Sequence, residues 1–346
     1  MNKYCGFSEQ VCQTFGRINE AEQVFSAYSS HDEDILKQIN DALEQLNKNS
    51  NIKWVSWEKD MEIEDSIIFC EICKHINRSK AILVELSDLN FNVLFEYGYS
   101  MGLSKKIHPI VNQTFDYNNV ERFVRPLVGI GIGKYKKNKL HEKLLKKKFW
   151  EKGRENFFYD FDENQILSDD TKIDANSVLY LKNIDSPTVT ENIERQMQSF
   201  NFQVIVDDSH EESNNLAWYS KQIKRSYAVI IDLGLSSTTD NFKHFLKCAF
   251  IAGICVATGR RVLILNSVHA QKPSDIISIT KEYESPRSAG NKVFNFLNDH
   301  SSNLSIITSY INTKHRNQST IFDDIDLGEH VAINDKYFID KGLRKI

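Results

Sequence analysis

The chain has 346 residues, a mass of 40.1 kDa and a formal net charge of −4 at pH 7. Its size predicts two domains, and 41% hydrophobic with 26% charged residues excludes a disordered chain. No run approaches the ~20 apolar residues of a membrane span, and the first residues lack the basic and apolar segments of a signal peptide. Six cysteines are too few for a disulfide framework, so we expect a cytoplasmic protein without a membrane partner.

The first half of the chain alternates between strand-like and helix-like patterns. After the first strand, Ser30-His31-Asp32-Glu33 fits a capping box, and apolar residues then recur at helical spacing. Such alternation predicts a parallel sheet with helices on both faces. The predicted elements are strands 21–28, 54–57, 80–86 and 106–111 and helices 35–46, 65–77 and 92–103.

A charged segment follows. Lys134–Trp150 carries eight lysines and one glutamate, and residues 151–174 carry eight acidic residues against three basic ones. One interpretation is a solvated helix that buries Leu140, Leu144, Leu145 and Phe149. The other is a phosphate-contacting helix, although no stacking aromatics accompany it beyond Phe149-Trp150. Nucleic acid is therefore a possible partner without support from the sequence.

The second half repeats the first. Ile223-Lys-Arg-Ser226 runs into an apolar strand that ends in an acid, as Ile76-Asn-Arg-Ser79 does. Matching Gly253 to Gly102 places Lys247 at the position of Glu96 and Ala249 at that of Gly98. Asn266, which follows the next strand, is matched separately to Asn112. On this register the second copy has lost the acid, and Lys247 is either an exposed helical lysine or suited to phosphate.

These patterns predict an α/β protein with two flavodoxin-like or Rossmann-like parallel-sheet domains in tandem and a less regular C-terminal tail. The predicted boundaries are a first domain at 1–133, a charged helix and linker at 134–176, a degenerate second domain at 177–270 and an extension at 271–346. A helical piece near Asn291–Asn298 has no assigned role.

The segment Leu86–Leu103 is the candidate for chemistry, because open parallel sheets bind ligands beyond the carboxyl ends of their strands. Glu96 falls about one turn into the helix that begins there, where the helix dipole favours an ionised carboxylate. Gly98 would let another surface approach closely. An amphipathic surface helix could equally point Glu96 outward, and periodicity leaves both alternatives open.

Residues 24–112 resemble Toll/interleukin-1 receptor (TIR) domains and the related nucleoside 2-deoxyribosyltransferases. The segment Val24-Phe-Ser-Ala-Tyr-Ser-Ser-His-Asp-Glu-Asp34 is similar to the first strand and loop of TIR domains. Ile76–Ser87 followed by Asn90-Phe-Asn-Val-Leu-Phe-Glu-Tyr-Gly98 resembles the strand, loop and helix of both groups. In those families the glutamate before the glycine is the catalytic acid.

The resemblance implies cleavage of an N-glycosidic bond in a nucleotide, most simply hydrolysis of NAD⁺ to nicotinamide and ADP-ribose, with no further cofactor. Glu96 would be the nucleophile, or would stabilise the oxocarbenium-like sugar. The implied substrate contacts are ribose hydroxyls at Asp88 and Asn92, a floor of Tyr28, Ser29 and Ser30, base stacking on Trp57 or Tyr97, and close approach at Gly98. The ten histidines are scattered, and no metal site is predicted.

Two alternatives remain. One is a nucleoside or nucleotide deoxyribosyl hydrolase or transferase, although Asn90 and Asn92 stand where deoxyribosyltransferases typically carry aspartate. The other is a non-catalytic module that senses a nucleotide or scaffolds an assembly. The family-level expectation is a bacterial antiviral (abortive-infection) effector, acting as a homo-oligomer or with a partner defence protein through Lys134–Lys148 or the C-terminal tail.

Overall fold

A computed structural model describes residues 21–60, 68–115, 120, 124, 131–152, 174–183, 186–208, 214–234, 239–270 and 279–298. These residues form two five-stranded, all-parallel sheets with flanking helices. The predicted α/β class with two tandem units is confirmed. Within this part of the chain, no helix is both long enough and apolar enough to span a bilayer.

The first sheet has the strand order β2-β1-β3-β4-β5. Helix α1 begins after Asp32, whose carboxylate accepts hydrogen bonds from the backbone N–H groups of Asp34 and Ile35, both at 2.9 Å. The cap is therefore Asp32 and not the predicted Ser30, and it satisfies two of the free N–H groups at the helix start. The elements of this unit are β1 Ala21–Ala27, α1 Glu33–Asn49, β2 Lys53–Ser56, α2 Trp57–Asp60, α3 Ile68–Arg78, β3 Ser79–Glu85, α4 Phe91–Gly102, β4 Lys106–Asn112, β5 Gly133–Tyr135, α5 Leu140–Lys147 and α6 Phe149–Lys152.

The lysine-rich segment belongs to the first unit. Strand β5 pairs with β4, and Leu140 and Leu144 of α5 are buried beside α1. The rings of Trp150 and Trp54 meet edge to face at 5.2 Å. Phe149 is also buried, Leu145 is half-buried, and the lysines of the last turn of α5 are exposed, as the solvated-helix interpretation predicts. Exposed lysines fit the phosphate-contacting interpretation equally well, so that interpretation stays a prediction. These contacts place β5, α5 and α6 against the first sheet, on the far side of the predicted boundary at 133.

The second sheet has the order β7-β6-β8-β9-β10, which repeats the first sheet strand for strand. Strand β10, which pairs with β9, and helix α10 fall inside the segment predicted as a C-terminal extension, and residues 299–346 lie outside the described part. The elements of this unit are β6 Asp174–Lys182, α7 Pro187–Ser199, β7 Gln203–Asp208, α8 Leu216–Arg225, β8 Ser226–Asp232, α9 Thr239–Ala257, β9 Val262–Ser267, β10 Thr280–Tyr283 and α10 Pro286–Asn298.

The structure corrects the helix register of the repeat. Helix α4 ends with the N–H of Lys105 donating to the carbonyl of Ser100, and α9 ends with the N–H of Arg260 donating to the carbonyl of Cys255. Equivalent residues in this region therefore differ by 155 (260 − 105), and not by the 151 that matched Gly253 to Gly102. The corrected register pairs Gly98 with Gly253, Phe95 with Phe250, Glu96 with Ile251 and Asn92 with Lys247.

The difference arises mainly at the start of the helix, since α9 has 19 residues and α4 has 12. Strands β3 and β8 begin at Ser79 and Ser226, an offset of 147 (226 − 79). The offset of 155 at the helices means that eight more residues (155 − 147) lie between β8 and the matching part of α9. The register also pairs Asn112 with Ser267 instead of Asn266. The carbonyl of each accepts a hydrogen bond from the backbone N–H of the residue three positions later in the chain.

Helices α4 and α9 join the two units. Their apolar side chains, with those of the flanking strands and helices, form one hydrophobic core shared by both sheets. A Cβ atom added at Gly98 would lie 1.9 Å from the carbonyl oxygen of Phe250, and one added at Gly253 would lie 2.2 Å from that of Phe95. Because these residues are equivalent in the repeat, the contact is reciprocal and the two helices are related by an approximate two-fold axis.

Candidate functional site

The carboxyl edge of the first sheet brings several predicted residues together. Tyr28 and Ser29 directly follow β1, Trp57 follows β2, and Asp88 lies in the loop after β3. Helix α4 begins at the same edge, where the Asn90 side chain accepts a hydrogen bond of 3.0 Å from the N–H of Val93. Parallel strands place all these loop residues on one side of the sheet, as the ligand-binding rule for open α/β sheets requires.

Glu96 lies inside this edge and does not point into solvent, since it is 3% exposed. The outward-facing alternative is therefore wrong. The pKa of Tyr28 lies above its usual range, chiefly because the ring is buried, and the negative charges of Glu58 and Glu96 raise it further. The carboxylate of Glu96 and the hydroxyl of Tyr28 are thus close enough to interact electrostatically, and Tyr28 stays protonated at neutral pH.

Asn40 and Glu58, which were not among the predicted site residues, also contact Tyr28. Its hydroxyl lies 3.3 Å from Asn40 Oδ1 and 3.4 Å from Glu58 Oε2, and it donates to these oxygens. The amide of Asn40 donates to the same Glu58 oxygen at 3.4 Å. Glu58 is exposed and directly follows Trp57, so its place just after a predicted strand was the available signal.

The loops after β1 and β3 are tied to each other. The hydroxyl of Ser29 donates to the carboxylate of Asp88, and the N–H of His31 donates to the Ser29 oxygen at 3.2 Å. Ser30 is half-buried in the same loop. This pairing fixes the Asp88 carboxylate at the sheet edge, where its position is compatible with the predicted contact to a ribose hydroxyl.

Asn92 lies one helical turn before Glu96, on the same face of α4. Its side chain is half-buried, and its Oδ1 atom is inaccessible to solvent and accepts no hydrogen bond from the residues that the structure describes. A buried amide oxygen without a donor is costly, and a ligand hydroxyl would satisfy it once the side chain turned to face the edge. Asn92 therefore remains a candidate for substrate contact.

The structure does not bring Tyr97 and Gly98 to this edge. The ring of Tyr97 is fully buried and meets that of Phe250 edge to face at 5.4 Å, and burial raises its pKa. Gly98 contacts the Phe250 backbone, so the close approach predicted there involves α9 and not a ligand. Trp57 is half-buried at the edge, which makes it the better placed of the two predicted stacking residues.

A buried acid lies beneath each edge. In the first unit Glu85 accepts hydrogen bonds from Ser87 and from the Tyr135 hydroxyl at 3.2 Å, and burial raises its pKa to about 7. The second unit has the same arrangement, with Tyr283 donating to Asp232 at 3.1 Å; burial raises the pKa of Asp232 to about 7. These acids connect the central strand to the last strand of each sheet and are fully buried.

The carboxyl edge of the second sheet is closed by an ion pair. Lys247 Nζ lies 2.5 Å from Asp207 Oδ2, and the two residues are 8% and 1% exposed. Asp207 Oδ1 also accepts hydrogen bonds from Asn214 at 3.0 Å and from Tyr219 at 2.9 Å. Lys247 is therefore neither an exposed helical lysine nor a cation open to phosphate, because Asp207 already neutralises it.

Among the described residues no group of three or more histidine, cysteine, aspartate or glutamate side chains is arranged to hold a metal ion. Comparison of the chain with protein-family models, with curated proteins and with solved structures gave no match.

Proposed function

We propose that the first unit is a nucleotide N-glycosidase that hydrolyses NAD⁺ to nicotinamide and ADP-ribose. The observation that supports it most is the burial of the Glu96 carboxylate at the carboxyl edge of a parallel sheet, within electrostatic reach of the Tyr28 hydroxyl. The similarity of residues 24–112 to TIR domains and deoxyribosyltransferases supports the same chemistry.

The reaction needs one well-placed anion. When the bond between ribose C1′ and nicotinamide breaks, its electron pair goes to the base, which leaves as a neutral molecule. The sugar becomes oxocarbenium-like, and Glu96 either stabilises that positive charge or bonds to C1′. Water then adds to C1′ and loses a proton, so that NAD⁺ and water give nicotinamide, ADP-ribose and a proton.

The neighbouring groups fit a ribose and a base. Asp88 can accept hydrogen bonds from ribose hydroxyls, and so can Asn92 Oδ1 once that side chain turns out of its buried position. The Tyr28 hydroxyl stays protonated and lies near the Glu96 carboxylate. Trp57 offers an aromatic face for the base. We include in the same proposal that the protein acts as an antiviral (abortive-infection) effector, which would work by removing NAD⁺.

Base release from a substrate panel tests this function. The full-length chain is incubated with NAD⁺, with ribonucleoside monophosphates and with deoxyribonucleosides, and free base is measured chromatographically. Protein concentration is varied widely, because TIR-like enzymes commonly need self-assembly. We expect nicotinamide from NAD⁺; release only from deoxyribonucleosides would instead assign the deoxyribosyl alternative.

The decisive variant is Glu96→Gln, which keeps the shape of the side chain and removes the charge. We expect kcat to fall by about 10³-fold or more, since the transition state loses its counter-charge. Glu44→Gln is the matched control, because Glu44 is an exposed residue of α1 paired with Lys48 at the surface. A fully active Glu96→Gln protein would remove the site, and no turnover of any substrate by the natural chain would favour a non-catalytic module.

A further inference from the structure

We infer that the second unit is a non-catalytic partner whose helix α9 positions the helix that carries Glu96, with Phe250 and Gly253 as the positioning residues. The consequence for catalysis rests on the proposed function, whereas the mechanical contact between the helices does not.

The first step is the closeness of the two helices. At both Gly98 and Gly253 the nearest atom to an added Cβ is a backbone carbonyl oxygen of the opposite helix, at 1.9 and 2.2 Å. A flexible side chain could move away from a new methyl group, but helix backbone cannot. The separation of α4 and α9 is therefore set by Gly98 and Gly253, because a side chain at either position would collide with the backbone of the other helix.

The second step is the position of Glu96 relative to this contact. Its chain neighbours Phe95 and Tyr97 both meet α9, the first through its carbonyl oxygen near Gly253 and the second through its ring against Phe250. One turn earlier, the ring of Phe91 packs against Phe245 of α9 at 5.0 Å. A shift of α4 against α9 would therefore move the Glu96 carboxylate relative to Tyr28, which belongs to β1 and its loop.

The third step is what the second unit lacks. The residue equivalent to Glu96 is Ile251, which is fully buried, and the edge of the second sheet is closed by Lys247 and Asp207. The second unit has thus kept the fold and the helix contact while losing the acid. What it contributes to the site in the first unit is a rigid surface.

The test is Gly253→Ala in the full-length chain, read out by two measurements. Amide hydrogen exchange should become faster in α4, residues 91–102, and stay unchanged in α10. The kcat for base release should fall by about 10²-fold with little change in KM, since a misplacement of about 1 Å costs that much. Gly131→Ala is the matched control, because no atom lies within 4 Å of an added Cβ there.

Phe250→Leu serves as the second variant if Gly253→Ala does not fold, because it removes the ring from Tyr97 without a backbone clash. Natural exchange rates in α4 together with natural kcat in a folded variant would overturn the inference. If the natural chain releases no base from any substrate, the proposed function fails, and hydrogen exchange alone decides the contact. Faster exchange in α4 then supports the positioning role, and unchanged exchange refutes it.

Discussion

Replacing the buried acid Glu85 by glutamine should stabilise the first unit at alkaline pH. The carboxyl group is fully buried, and burial raises its pKa from 4.5 to about 7. Glutamine has the same shape, and its amide nitrogen can take the place of Oε1 and donate to the hydroxyl of Ser87 or Tyr135. The substitution therefore removes the charge and leaves the packing in place.

The size and sign of the effect follow from the pKa in the two states. Because the folded-state pKa lies above the unfolded value, the folded protein holds the proton to higher pH, and ionisation destabilises the fold. Below about pH 4.5 the natural chain and the variant have equal free energies of unfolding. As the pH rises to 7, the free energy of unfolding of the natural chain falls below that of the variant. Above pH 7 the difference is constant at about 3 kcal/mol, at 1.36 kcal/mol for each pH unit between the two pKa values.

The assay is urea unfolding from pH 4.5 to 8.5, followed by tryptophan fluorescence. Trp218 is the one tryptophan of the four that lies in the second unit, so a Trp218→Phe background makes fluorescence report the first unit. Two units in one chain can unfold separately, which makes this isolation necessary. The natural chain and the Glu85→Gln variant, compared in that background, should have equal urea midpoints only at low pH; a stability difference independent of pH would refute the reasoning.

Two further predictions concern the described contacts. Lys247→Met leaves the Asp207 carboxylate buried without its counter-ion and should lower the free energy of unfolding of the second unit by about 3–5 kcal/mol; adding Asp207→Asn should restore much of it, and an unaltered urea midpoint, read through Trp218, would contradict this. Asp32→Ala removes the cap of α1 and should lower the free energy of unfolding of the first unit by about 1 kcal/mol, whereas Asp32→Asn should cost much less, both measured by urea unfolding in the Trp218→Phe background.

The architecture was predictable because hydrophobic period and chain order determine it. Buried strands such as Ser79–Glu85 are short apolar runs, and α1 shows its inward face at helical spacing. The helix register of the repeat was not predictable, since α9 is seven residues longer than α4 (19 − 12) at its N-terminal end and nothing in the sequence marks where the matching part begins. One indication was present, because α4 is apolar almost all round and such a helix is buried on every side.

The site was predictable only where one rule places the residues. Glu96 and Asp88 lie near the end of one strand, and the carboxyl-edge rule brings them to Ser29 after another. Asn40 and Glu58 come from helices whose positions depend on packing, which the sequence does not encode locally. Tyr97 was assigned to the site because it adjoins Glu96 in the chain, but successive helical residues point about 100° apart, and its side chain faces α9.

Both sheets terminate in short strands. The outer strands of the first sheet have four and three residues, and those of the second have six and four. The three strands of three or four residues expose few unpaired backbone groups, so they are poor templates for pairing with an extended chain from another molecule. Strand β7 has ordinary length, so the border it forms is the one where addition of a further strand is least disfavoured by length, and its sequence puts two acidic residues, Asp207 and Asp208, at the end of that border.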